Sequence, residues 1–248
     1  MYEEEGDPLI GDFNLDEKHR VVVRNSKTPE ALVDLKTSGI IPEGWQPVVH
    51  ILGGGPLTGK TRAELIRSRA ELADAVVIST EICMKGIPEY EMLKKSDPLG
   101  ATSRAHDEAS DIAKEATTRA VQYRRNLIID KVSGDPLKLG ADMEAFHRGG
   151  YWVELRFVDR PLDLALPDMV TRFEETGCWI SPDVVARGHT GAARAFHENA
   201  GFADRATLRV AAAGERHKLV YDTSKDETAR VCNVVAHQAH RRKGGLNV

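Results

Sequence analysis

The chain has 248 residues, 34 Lys and Arg against 38 Asp and Glu, a formal net charge of −4, and 41% apolar residues. That length and composition fill one large core or two small ones, and the charge gives no footing for wrapping extended nucleic acid, though a nucleotide or a nucleic-acid end stays open as a substrate. No apolar run reaches the length of a membrane span.

The first stretch, 1–46, is polar and broken by Gly6, Pro8, Gly11, Pro29, Gly39 and Pro42. It predicts an arm packed on the core, with a short capped helix over Thr28–Leu35. Its acidic beginning lacks the apolar centre of a secretory leader. Cys83, Cys178 and Cys232 are scattered and form no Cys-x-x-Cys pair, which predicts a reducing, cytoplasmic setting with neither a disulfide framework nor a zinc site.

From residue 47 to 248 the pattern predicts one domain. Strands are expected at Val48–Leu52, Ala75–Ser79, Asn126–Asp130 and Tyr151–Val158, with two more at Thr207–Ala212 and His217–Tyr221. Helices are expected at Lys60–Leu72, Ser103–Tyr123, Lys138–Arg148, Leu162–Glu175, Thr190–Asn199 and Asp226–His240, before a basic tail at 241–245. Apolar strands alternating with helices predict an α/β fold, a doubly wound and mainly parallel sheet flanked by helices.

The segment that carries chemistry is Gly54-Gly55-Pro56-Leu57-Thr58-Gly59-Lys60-Thr61, directly after the first strand. It fits the phosphate-binding pattern G-x-x-x-x-G-K-[ST]. The glycines let the backbone approach an anion, and the helix that follows points N–H groups and a partial positive charge at it. Lys60 is expected to reach the β- and γ-phosphates of ATP, and the Thr61 hydroxyl to hold Mg²⁺. Ligands of such sheets bind beyond the carboxyl ends of the strands. Asp130 ends the third strand, where a carboxylate organises the metal. Glu81 follows the second strand, in an acidic turn, and is a candidate general base. Another carboxylate stays open for that role. Arg172, late in a helix, and Arg187, in the polar break before Thr190, are candidate stabilisers of charge on a transferred phosphoryl group. Their guanidinium groups are expected in the cleft of Lys60. His106, Glu108 and Asp111, early on the long helix, are a weaker substrate-binding set, since acidic residues there often only complement the helix dipole.

Together these points resemble the zeta-toxin family of P-loop kinases over about Pro47 to Asn199. The matching pieces are Gly53 to Thr61, the strand and acidic turn Val77 to Glu81 leading to Ile87-Pro88-Glu89-Tyr90, the helix at His106-Asp107-Glu108-Ala109 before the Asn126-Leu127-Ile128-Ile129-Asp130 run, Gly150-Tyr151-Trp152-Val153-Glu154-Leu155, and Arg172-Phe173-Glu174 followed by Arg187. The resemblance implies a kinase that uses ATP and Mg²⁺ on an alcohol group, with Glu81 as the catalytic carboxylate and Arg172 and Arg187 as phosphate clamps. It implies a nucleotide-sugar acceptor such as UDP-N-acetylglucosamine and an antitoxin partner. NAD, nucleosides, nucleic-acid ends and antibiotics are the acceptors of related enzymes, and a non-catalytic ATP-binding module is the alternative class. Three features depart from the family pattern. Glu81 replaces an aspartate, Lys131-Val132-Ser133 stands where Gly-Thr is usual, and the family's substrate-binding glutamate on the long helix has no clear counterpart.

Overall fold

The computed structural model describes residues 46–72, 75–211 and 217–223. The rest of the expected arm, the expected helix over Asp226–His240 and the basic tail lie outside the described residues.

The strands are β1 (Val48–Gly53), β2 (Val76–Ser79), β3 (Leu127–Asp130), β4 (Trp152–Asp159), β5 (Arg205–Val210) and β6 (Lys218–Asp222). They form one sheet in the order β2-β3-β1-β4-β5-β6. The first five are parallel, and β6 runs antiparallel to β5. The strands between the sheet edges read as near-continuous apolar runs because helices cover both faces.

The two faces differ in chemistry. One carries Val49, Ile51, Ile78, Ile129, Leu155 and Phe157 into the main apolar core. The other carries a small apolar patch of Leu52, Val77 and Ile128 beside buried His50, Glu154 and Arg156.

A π-helical turn over Thr61–Leu65 follows the glycine-rich loop and runs into α1 (Ile66–Glu71). Then come α2 (Thr80–Lys85), α3 (Pro88–Ser96), α4 (Ala101–Gln122), α5 (Pro136–Arg148), α6 (Leu162–Ala165), α7 (Asp168–Thr176) and α8 (Pro182–Asn199). On α4 the buried positions Ala101, Ala105, Ala109, Ile112, Ala116 and Ala120 line one face at helical spacing, and their small side chains let the helix sit close to its neighbours.

The helices differ from the sequence-based expectation in physically informative ways. Glu81 is not in a loop. Ser79 is extended and its hydroxyl accepts from the Glu81 amide at 3.2 Å, a cap that starts α2 at once. The expected helix over Leu162–Glu175 is divided at Pro167, and Gly177 ends α7 in the left-handed region at φ 69°. Arg187 is not in a break. With Pro182 in its first turn, α8 starts well before Thr190. Gly188 and Gly191 suggest a break in sequence, but they sit inside the helix where side chains would collide. A Cβ on Gly188 would lie 2.6 Å from the Pro56 ring, and one on Gly191 would lie 2.2 Å from the Gly134 carbonyl oxygen.

Candidate active site

The site forms at the carboxyl edge of the sheet, where Leu52, Ser79 and Asp130 are in register on neighbouring strands. β1 delivers the loop 54–61 there. The loop needs its glycines for two reasons. Gly54 and Gly59 have φ of 142° and 77°, which side chains rarely adopt. Gly55 lies against the His189 ring, and a Cβ would come within 2.5 Å of it.

At the end of the loop the Thr61 hydroxyl donates to Asp130 Oδ2 at 2.6 Å, and Lys60 Nζ lies 3.4 Å from Asp130 Oδ1. Asp130 is buried. Two hard oxygen donors, a hydroxyl and a carboxylate, thus sit side by side next to the loop lysine. That donor set suits Mg²⁺, which takes few protein ligands and keeps its remaining positions for water and phosphate oxygens.

Across from the loop, α2 presents Glu81. Its Oε2 accepts from Arg172 Nη2 of α7 at 2.9 Å, and its Oε1 lies 3.1 Å from Lys85 Nζ. Burial by itself raises the Glu81 carboxyl, but the charges of Arg172, Lys85 and Lys60 outweigh it and hold it below the usual glutamate value. Of these influences that of Lys60 is the smallest, and Arg172 and Lys85 dominate. Burial pushes the Cys83 thiol, also on α2, up to about 12, so it supplies no thiolate nucleophile at neutral pH.

The structure thus brings Lys60, Thr61 and Asp130 together, and joins Glu81 to Arg172. Arg187 is exposed on α8, with its Nε donating to the Asp183 carbonyl at 3.4 Å. It neighbours Gly188, which packs on Pro56 of the loop. On α4, His106 is exposed, lying 3.4 Å from Ser110 Oγ and 3.6 Å from Asp107. Asp111 pairs with Lys114 at 2.6 Å, and Glu108 is half-buried. These contacts of His106 and Asp111 lie within α4.

Three residues at the loop had no role assigned to them from the sequence. His189 Nε2 lies 2.6 Å from the Pro56 carbonyl oxygen, Arg160 Nη1 donates to the Leu57 carbonyl at 3.0 Å, and His217 Nε2 lies 3.1 Å from the Thr58 carbonyl. All are distant in sequence from the loop and belong to no motif. Arg160 alone was within reach of sequence reasoning, since it directly follows a strand end.

A second polar cluster lies beneath α1. Ligand atoms of His50, Glu71 and Glu154 lie within 4.8 Å of one another. The cation there is already supplied. Arg156 Nη2 pairs with Glu71 and with Glu154 Oε1, the latter at 3.0 Å.

A family profile for zeta toxin matches residues 33–226. No curated protein sequence compared with the chain matches it. Among solved structures, one from work on the PezAT chromosomal toxin–antitoxin system of Streptococcus pneumoniae is similar at TM-score 0.64 and 16% identity, covering 84% of this chain and 83% of that one. A structure of AvrRxo1-ORF1:-ORF2 with ATP is similar at TM-score 0.61 and 17% identity, covering 88% of this chain and 69% of that one. At such identities the likeness establishes the fold. With the profile match spanning most of its length, the chain belongs to the zeta toxin family of P-loop kinases.

Proposed function

We propose that this protein is an ATP-dependent kinase that transfers the γ-phosphoryl group to a hydroxyl of a small, nucleotide-type acceptor. The observation that carries the reading is the meeting of two groups: Lys60, Thr61 and Asp130 at the loop, and Glu81 with Arg172 in electrostatic reach of Lys60. The loop amides and Lys60 bind the polyphosphate, and Thr61 and Asp130 hold Mg²⁺, which when bound neutralises charge on the phosphate oxygens. Glu81 orients the acceptor hydroxyl and takes its proton as the new O–P bond forms and ADP leaves. Arg172, held on Glu81 without substrate, turns its guanidinium to the transferring group, and Arg187 closes from α8.

The zeta toxin membership favours UDP-N-acetylglucosamine as acceptor and a toxin held by an antitoxin. The PezAT structure comes from a toxin–antitoxin system, which supports the same expectation for this chain. Such an enzyme works in the cytoplasm, which suits the free thiols of Cys83 and Cys178. The test is ATP turnover with a panel of nucleotide sugars, NAD, nucleosides, antibiotics and 5′-hydroxyl oligonucleotides, read by mass spectrometry for the gain of one phosphate. Lys60→Ala should abolish the product, because a lost transition-state contact of this kind costs about 3 kcal/mol or more. A folded variant with wild-type turnover refutes the kinase reading.

A further inference from the structure

Five consecutive carbonyls of the phosphate loop each face a hydrogen-bonding group. Thr58 Oγ1 donates to the Gly55 oxygen at 3.0 Å, and the Ala63 amide donates to the Gly59 oxygen at 3.0 Å. Those bonds are local and belong to the loop and the helix it starts. The three carbonyls between them are reached from outside the loop. His189, from α8, faces the Pro56 oxygen at 2.6 Å. Arg160, just past β4, donates to the Leu57 oxygen at 3.0 Å and pairs with Asp168 of α7. His217, just before β6, faces the Thr58 oxygen at 3.1 Å.

A peptide is planar, and its C=O and the following N–H point in opposite directions. Fixing the oxygens of Pro56, Leu57 and Thr58 therefore turns the N–H groups of Leu57, Thr58 and Gly59 away from those partners, free to face the anion that the loop pattern predicts. The backbone needs that hold, because Leu57 is a non-glycine residue at φ 62°. The His189 ring is buried, with a carbonyl oxygen at each nitrogen: Pro56 at Nε2 and Arg160 at Nδ1, at 3.1 Å. A neutral imidazole carries one N–H, so it donates to one of these two carbonyls, and the tautomer with the proton on Nε2 is the one that holds Pro56. The absence of a side chain at Gly55 makes room for the imidazole.

We infer that Arg160, His189 and His217 are positioning residues for phosphate binding, each orienting one peptide plane of the loop so that its amide faces the nucleotide's polyphosphate. The inference rests on the kinase reading above. It adds that the loop's shape is held by residues from α8 and from the ends of β4 and β6 as well as by its own glycines.

The test measures ATP and inorganic tripolyphosphate binding by calorimetry, alongside thermal unfolding. Arg160 and His217 are the informative positions because both are half-exposed, whereas buried His189 is a folding risk. Arg160→Met and His217→Leu should each weaken both ligands about tenfold, the usual weight of one hydrogen bond to a charged or strongly polar donor. Arg160→Lys and His217→Gln, which keep a donor, should recover most of the loss. Because the adenine is absent from tripolyphosphate, equal losses for both ligands locate the effect at the phosphates. Wild-type affinity in Arg160→Met and His217→Leu overturns the inference, as does a loss that Lys and Gln do not relieve. If Lys60→Ala loses ATP while these variants keep it, the inference falls and the kinase reading stands. A wild-type chain that binds neither ligand overturns both.

Discussion

Glu81 illustrates how one carboxylate can be held ready for proton transfer. Its cationic neighbours keep it ionised, so an acceptor hydroxyl would meet a carboxylate, not a carboxylic acid, across the neutral range. The value is depressed in the free enzyme, so the acid limb of kcat/KM attributable to Glu81 should lie below the ordinary glutamate range, and a pH–rate profile checks this. Glu81→Gln keeps the shape and removes the acceptor of the proton, so kcat should fall by about 10²-fold or more while ATP affinity changes little. If turnover survives in Glu81→Gln, another carboxylate of the cleft is the base. Arg172 holds Glu81 through a single nitrogen, Nη2. In the reaction its planar fork would serve a phosphoryl group through paired bonds, so Arg172→Lys should rescue turnover poorly relative to Arg172→Ala. Comparing kcat and ATP affinity across the pair separates this from a loss of ground-state binding.

At the scale of elements, close approach governs the loop. A Cβ on Gly53 would lie 1.9 Å from the Phe157 ring, so Gly53→Ala should destabilise the fold by about 1–3 kcal/mol through overpacking, read as a fall in the urea midpoint. Gly55→Ala should push His189 off the Pro56 carbonyl, and its loss should be larger in ATP affinity than in the urea midpoint. Much of this architecture was legible in the sequence because it follows local rules. β1, β3 and β4 are short apolar runs with turn residues behind them, and the loop is a contiguous motif. What was not legible depends on contacts between distant segments. The glycines of α8 look like helix breakers until Pro56 and Gly134 are seen packed against them. The α2 helix has only six residues, too short for periodicity to declare it, and its start rests on the Ser79 cap. Arg172 and Glu81 could be proposed one by one, but their pairing is a property of how α7 lies across α2.

For the molecule as a whole, the polar face of the sheet sets a response to pH. Burial, aided by the charge of Arg156, holds His50 down to about 3 from an ordinary 6.5. A depressed folded value means that the unfolded chain binds the proton first. The His50 contribution is thus complete above about 6.5 and is lost as pH falls toward about 3. Glu154, raised chiefly by burial, contributes with the opposite sign. Urea midpoints should therefore fall on acidification through that window, and His50→Gln should flatten the slope. The sheet order has a further consequence, which concerns time. β1 pairs with Leu127 of β3 and Trp152 of β4, and the hold on Thr58 comes from a residue 159 positions away. During synthesis the phosphate loop is made early, long before the segments that shape it. Contacts this distant also form slowly, because chain entropy must be lost before they repay it. Chains released before β6 should accordingly bind polyphosphate about tenfold more weakly or worse, and in refolding the recovery of tripolyphosphate binding should trail the recovery of the far-ultraviolet signal. A growing chain with this topology reaches full polyphosphate affinity only late in its own translation.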